Sequence, residues 1–143
     1  MTTHALPISA TNATSRVRTP WSIWTGRLIG GLVSAFLFVD AAFKLATAPQ
    51  VIQTTEQLGW SGDTAVTLGG ILLIIAVLYA IPRTAVLGAI LLTGYLGGAI
   101  ATHLRIDNPL FTHTLFGAYV GVLAWLSLWL RDPRVRKLFS ALG

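Results

Sequence analysis

The 143-residue chain has no cysteine. That excludes disulfides, thiol nucleophiles and thiolate metal sites within it. It also leaves the redox state of the compartment unread. Charge is scarce: charged residues make up 10% of the chain, whereas a soluble domain averages about 25%. No nucleophile motif, phosphate loop, cofactor fingerprint or c-type haem attachment motif is present, so nothing points to a self-contained enzyme. Sustained apolar–polar alternation is missing too, which argues against barrel strands.

What is there is apolar. Hydrophobic residues make up 54% of the chain, and ten Lys and Arg against five Asp and Glu give a net charge of +5. A basic balance signals nucleic acid when the cations line one face. Here they sit at the ends of apolar runs, as in membrane proteins, so no nucleic-acid partner is expected.

Four such runs follow one another: about 24–46, 64–81, 85–104 and 110–130. Each has the roughly 17–25 residues that cross a bilayer as a helix. Pro82-Arg83-Thr84 and Asp107-Asn108-Pro109 read as tight turns between runs. The expected fold class is therefore all-α, a four-helix transmembrane bundle within a membrane domain at 21–138. Residues 1–20, rich in Ser, Thr and Ala, read as a disordered tail, and 139–143 as a short C-terminal one. The longest connection, 47–63, suits a short interfacial helix opened by Pro49 and closed by Gly59. Val51, Ile52, Thr55 and Leu58 would line one side of it, with Trp60 as an anchor. Ala46-Thr47-Ala48 imitates a signal-peptidase site, but the run before it is too long and too interrupted by charge for a signal core.

Four spans put both termini and the 82–84 turn on one side. Arg16, Arg18, Arg27, Arg83, Arg131, Arg134, Arg136 and Lys137 belong to that side, and only Lys44 and Arg105 to the other. The bias makes the termini cytoplasmic. Small residues four apart let membrane helices pack closely. Gly26 and Gly30, Gly94 and Gly98, and Gly117 and Gly121 are such pairs, and Gly97 extends the third run's smooth face. They are expected to seat neighbouring helices, with a homodimer seam as the alternative.

Ionisable residues inside spans are functional candidates. Asp40 and Lys44 stand at i and i+4 near the end of the first run. His103 and Arg105 end the third, and His113 begins the fourth. Topology brings all five to the non-cytoplasmic side. Tyr95 and Thr102 share a face of the third run and suit a path inward. Each residue also has a structural explanation. Asp40 and Lys44 neutralise each other, Arg105 pairs with Asp107 as an anchor, and the histidines satisfy backbone carbonyls. The two histidines with Asp40 have the donor types for a metal or for proton transfer, but their spacing across two helices matches no strong metal motif, so no metal is expected.

The stretches "LYAIPRTAVLGAILLTGYLGGAIATHLR" (78–105), "GRLIGGLVSAFLFVDAAFKL" (26–45) and "WLRDPRVRKL" (129–138) resemble the DoxX-like membrane proteins. The resemblance runs over about 24–138, and Asp40…Lys44 and Thr102-His103-Leu104-Arg105 match its pattern. It implies a small multi-pass protein of the bacterial cytoplasmic (inner) membrane. Distant DoxX and DoxD relatives are membrane partners in quinone-linked oxidation of sulfur compounds. Two functions follow as expectations. One is a redox-accessory protein binding a quinone or other lipophilic ligand through His103, Lys44 or Arg105, with a histidine–aspartate pair moving protons. The other is a structural or assembly partner of a membrane complex, touching lipid headgroups or a cytoplasmic protein through its basic end. A complete transporter is disfavoured, because no broken-helix signature is present.

Overall fold

The computed structural model describes residues 20–141, without the side chains of Pro20, His113 and Phe139. The expected tails at 1–19 and 142–143 lie outside the described residues. Among the described residues every regular element is helical. The order is α1 (Pro20–Leu45), α2 (Pro49–Gln57), α3 (Thr64–Ala80), α4 (Ala85–Arg105), a π-helical turn (Leu110–Thr114), α5 (Phe116–Arg131) and α6 (Pro133–Ser140).

Proline sets many of the boundaries. Pro20, Pro49 and Pro133 are the first residues of their helices, where the missing N–H costs no bond. Pro82 sits in the α3–α4 turn and Pro109 just before the π-helical turn, so no described helix interior is interrupted. Pro20 thus belongs to α1 and not to the tail. Three stretches are long and apolar enough to cross a membrane: Trp21–Leu45, Ala85–Arg105 and Leu110–Arg131. α3 is apolar throughout but has 17 residues, the lower limit of a span at about 17–25.

α1 packs against α3 and α5, and α4 packs against the same two helices. Leu37, Leu72, Tyr79, Leu92 and Leu128 fill the centre, interleaved with fully buried Ala41, Ala76, Ala89 and Ala124. The alanines sit where backbones approach closely. Two buried hydrogen bonds tie helices together. The Ser127 hydroxyl donates to the Gly26 carbonyl at 2.8 Å, and the Tyr79 hydroxyl to the Ala124 carbonyl at 3.1 Å. The outside is as apolar as the inside: Leu28 is 65% exposed, Ile74 62% and Val122 66%. Water would penalise such a surface, whereas lipid tails solvate it.

The glycines divide into two groups. A Cβ at Gly26 would stand 2.9 Å from Leu130 Cβ, and one at Gly30 would stand 2.5 Å from Ser127 Oγ. At Gly117 it would meet Ile100 at 3.3 Å, and at Gly121 Leu96 at 3.6 Å. Gly94, Gly97 and Gly98 differ, since a Cβ there would meet nothing within 4 Å. The expectation that these three seat neighbouring helices of the same chain is corrected. The buried residues of α4 are Ala85, Gly88, Ala89 and Leu92, so the helix is buried most deeply at its start, and further on it meets α5 through Leu96 and Ile100 rather than through these glycines. Two other glycines make close approaches instead. Gly88 lies against the Tyr79 backbone, and Gly69 against Lys44 Cβ and the Leu45 nitrogen.

Candidate functional site

The C-terminal ends of α1 and α4 and the N-terminal part of α3 meet around one cavity, which Lys44, His103 and Leu68 all line. The site is built there. Lys44 is in the last turn of α1, where the helix dipole favours a cation. Its Nζ donates to Asp40 Oδ1 at 2.5 Å, with both side chains partly buried. Gly69 of α3 lets the α1 backbone come close at this level, which fixes where Lys44 starts.

Between α1 and α4 lies a cavity of about 630 Å³. Asp40, Lys44, Tyr95, Thr102 and His103 all line it. Leu37 and Leu72 give it an apolar floor, and Gln50, Thr54 and Thr55 of α2 close over it. α2 forms as its sequence suggests. Pro49 opens it, Gly59 follows it at φ +81°, and Val51, Ile52, Thr55 and Leu58 are its less exposed residues. Gly94 and Gly98 also line the cavity. Their missing side chains make room for it rather than for a neighbouring helix.

His103 is oriented by a residue the sequence did not single out. The Asn108 amide nitrogen lies 2.7 Å from His103 Nδ1. That contact fixes the orientation of the imidazole ring. The Asn108 carbonyl in turn accepts from the hydroxyl of Thr114, which is buried and also lines the cavity. The Asn-Pro turn and the π-helical turn thus act together to hold one histidine. The Thr102 hydroxyl donates back to the Gly98 carbonyl at 2.9 Å.

Two expected members stand apart. Arg105 does not line the cavity. Its Nη2 donates to the Leu58 carbonyl at 2.6 Å, an unsatisfied acceptor at the C-terminus of α2. Arg105 therefore fastens the roof, and the anchor pairing with Asp107 is replaced by this bond. The two ion pairs among the described residues are Lys44–Asp40 and Arg134–Asp132. The side chain of His113 lies outside the described residues. Among the described residues no group of three His, Asp or Glu is placed to hold a metal ion.

The cavity is amphipathic. Its lining combines an ion pair, a histidine, a tyrosine and threonines with aliphatic and aromatic side chains. Such a space suits a molecule with a small hydrogen-bonding head and an apolar body. The sequence model of the DoxX-like family matches residues 28–127. That stretch contains all four apolar helices in whole or large part, the cavity and α2. No curated protein and no solved structure matches the chain.

Proposed function

The chain belongs to the DoxX-like family, and from that premise we propose a four-span bundle of the bacterial inner membrane that binds a lipophilic ligand such as a quinone, as an accessory to a membrane redox system. The cytoplasmic side holds both termini and the α3–α4 turn, in keeping with the eight-to-two bias of Arg and Lys along the sequence. The observation that carries the reading is the cavity of about 630 Å³ with Asp40, Lys44 and His103 in its wall. Lys44 offers N–H donors to a ligand carbonyl, and His103, held by Asn108, presents an oriented ring. Arg105 keeps α2 over the cavity and does not touch the ligand.

Titration of the purified protein with a quinone tests this. His103→Ala and Asp40→Asn are each expected to weaken binding about tenfold, the worth of one charge-assisted hydrogen bond. Unchanged affinity in both variants would remove these side chains from the site.

One observation favours the competing reading, a structural or assembly partner. Asp40 and Lys44 neutralise each other, and Arg105 is committed to α2. On that reading the same substitutions lower thermal stability, no quinone binds, and mild detergent extraction recovers a protein partner.

A further inference from the structure

A second hollow lies on the outer face, between α4 and α5. It is an open groove of about 690 Å³ with an almost wholly apolar lining, including Gly97, Gly121, Val122 and Leu126. Two polar side chains in its wall are turned to each other: Trp125 Nε1 donates to Thr93 Oγ1 at 2.9 Å, and Thr93 donates to the Ala89 carbonyl. Leu96, Ile100 and Gly117 line both this groove and the polar cavity. The partition between the two spaces is therefore two aliphatic side chains lying against a glycine, with Ile100 Cγ1 3.3 Å from where a Gly117 Cβ would stand. The π-helical turn leads into α5 just ahead of Gly117, an irregularity frequent at functional sites.

We propose that groove and cavity are two compartments of one lipid site. The head of the ligand occupies the polar cavity, and its single apolar chain lies in the α4–α5 groove, crossing at Leu96, Ile100 and Gly117. The ligand enters sideways from the bilayer at this seam. The inference rests on the ligand-binding reading above and adds the class of ligand: a small hydrogen-bonding head on a long hydrocarbon chain. Two independent features support it. The groove adjoins the cavity across a wall one side chain thick, which Leu96 and Ile100 must turn aside to open, and the lining becomes almost wholly apolar on the groove side of that wall. Gly97 and Gly98, adjacent in sequence, serve the two sides, Gly97 the groove and Gly98 the cavity.

The test uses the full chain in lipid nanodiscs with two probes sharing one benzoquinone head, one without a chain and one with a decyl chain. Binding is measured for the native sequence and for Gly97→Leu. A leucine there enters open space and fills the groove without touching the cavity. Partitioning of the probes into lipid is common to both proteins and cancels in the comparison. The expected result is that the decyl probe loses about tenfold or more in Gly97→Leu, since even two buried methylenes account for that factor. The chainless probe should bind both proteins equally. Decyl binding unchanged by Gly97→Leu overturns the groove and leaves the cavity reading standing. Failure of both probes to bind the native protein overturns both. A change of the native protein from dimer to monomer on Gly97→Leu would make the groove a seam between two copies and overturn the lipid assignment.

Discussion

Gly88 and Gly94 lie six residues apart on α4, and their surroundings are opposite. A Cβ at Gly88 would collide with the Tyr79 backbone, standing 2.6 Å from its Cα, whereas one at Gly94 would meet nothing within 4 Å. Backbone cannot yield as a side chain can, so Gly88→Ala should destabilise by about 1–3 kcal/mol. Gly94→Ala should instead stabilise by about 0.5–1 kcal/mol, because alanine loses less backbone entropy in a helix. Thermal unfolding midpoints in detergent, falling for the first variant and rising for the second, check the contrast. A fall of similar size in both would return Gly94 to the helix-packing role its spacing first suggested. Spacing could not make this distinction. It identifies residues on one face of a helix, but not whether another helix reaches that face. The same limit explains Arg105. Its place at the end of α4 was legible, while its partner, the Leu58 carbonyl, is 47 positions away and exists only once α2 has formed.

Elements were more legible than contacts. The apolar runs, both turns and the short helix after Pro49 follow from hydrophobicity and proline placement, which act locally. α6 was read only as a basic tail, because Val135, its buried anchor among the described residues, depends on the end of the core being in place. Asp132 starts this helix. Its Oδ1 accepts from the Arg134 backbone N–H at 2.9 Å, and the Arg134 guanidinium bonds both the carboxylate and the Pro82 carbonyl. The cap thus links α6 to the α3–α4 turn. The hydrogen bond from Arg134 holds the Asp132 carboxyl below its ordinary pKa. A lowered folded pKa gives a contribution that is complete above the unfolded value, about 3.9. It is lost as pH falls through the folded value. The protection factors of the Lys137 and Leu138 amides, which correct exchange for its intrinsic pH dependence, should therefore fall on acidification below about pH 4 in the native chain. Asp132→Asn should flatten that dependence, since asparagine caps without titrating, and Asp132→Ala should cost about 1 kcal/mol at neutral pH. Protection that falls equally in all three would place the acid sensitivity elsewhere.

At the scale of the whole molecule, the direction of the chain through the bilayer hangs on α3. Its 17 residues rise about 25 Å, against a hydrocarbon core of about 30 Å. If α3 crosses, α2 and the α3–α4 turn lie on opposite sides; if it does not, they lie on the same side. Its exposed Ile71, Ile74 and Val77 and its packing along α1 and α4 favour crossing, with local thinning of the bilayer absorbing the mismatch at a fraction of a kcal/mol per Å. The absence of cysteine makes the question easy to put, because any introduced thiol is the only one in the chain. Glu56→Cys on α2 and Arg83→Cys in the α3–α4 turn are both exposed positions. A membrane-impermeant maleimide applied to intact bacterial cells should label Glu56→Cys and spare Arg83→Cys until the membrane is opened. The reverse pattern would invert the protein and set the charge bias aside. Labelling of both from outside would leave α3 on one side of the membrane and dissolve the four-span arrangement. The cavity wall would then lose Leu68 and Leu72 as parts of a spanning helix, so the ligand site and the topology stand on the same seventeen residues.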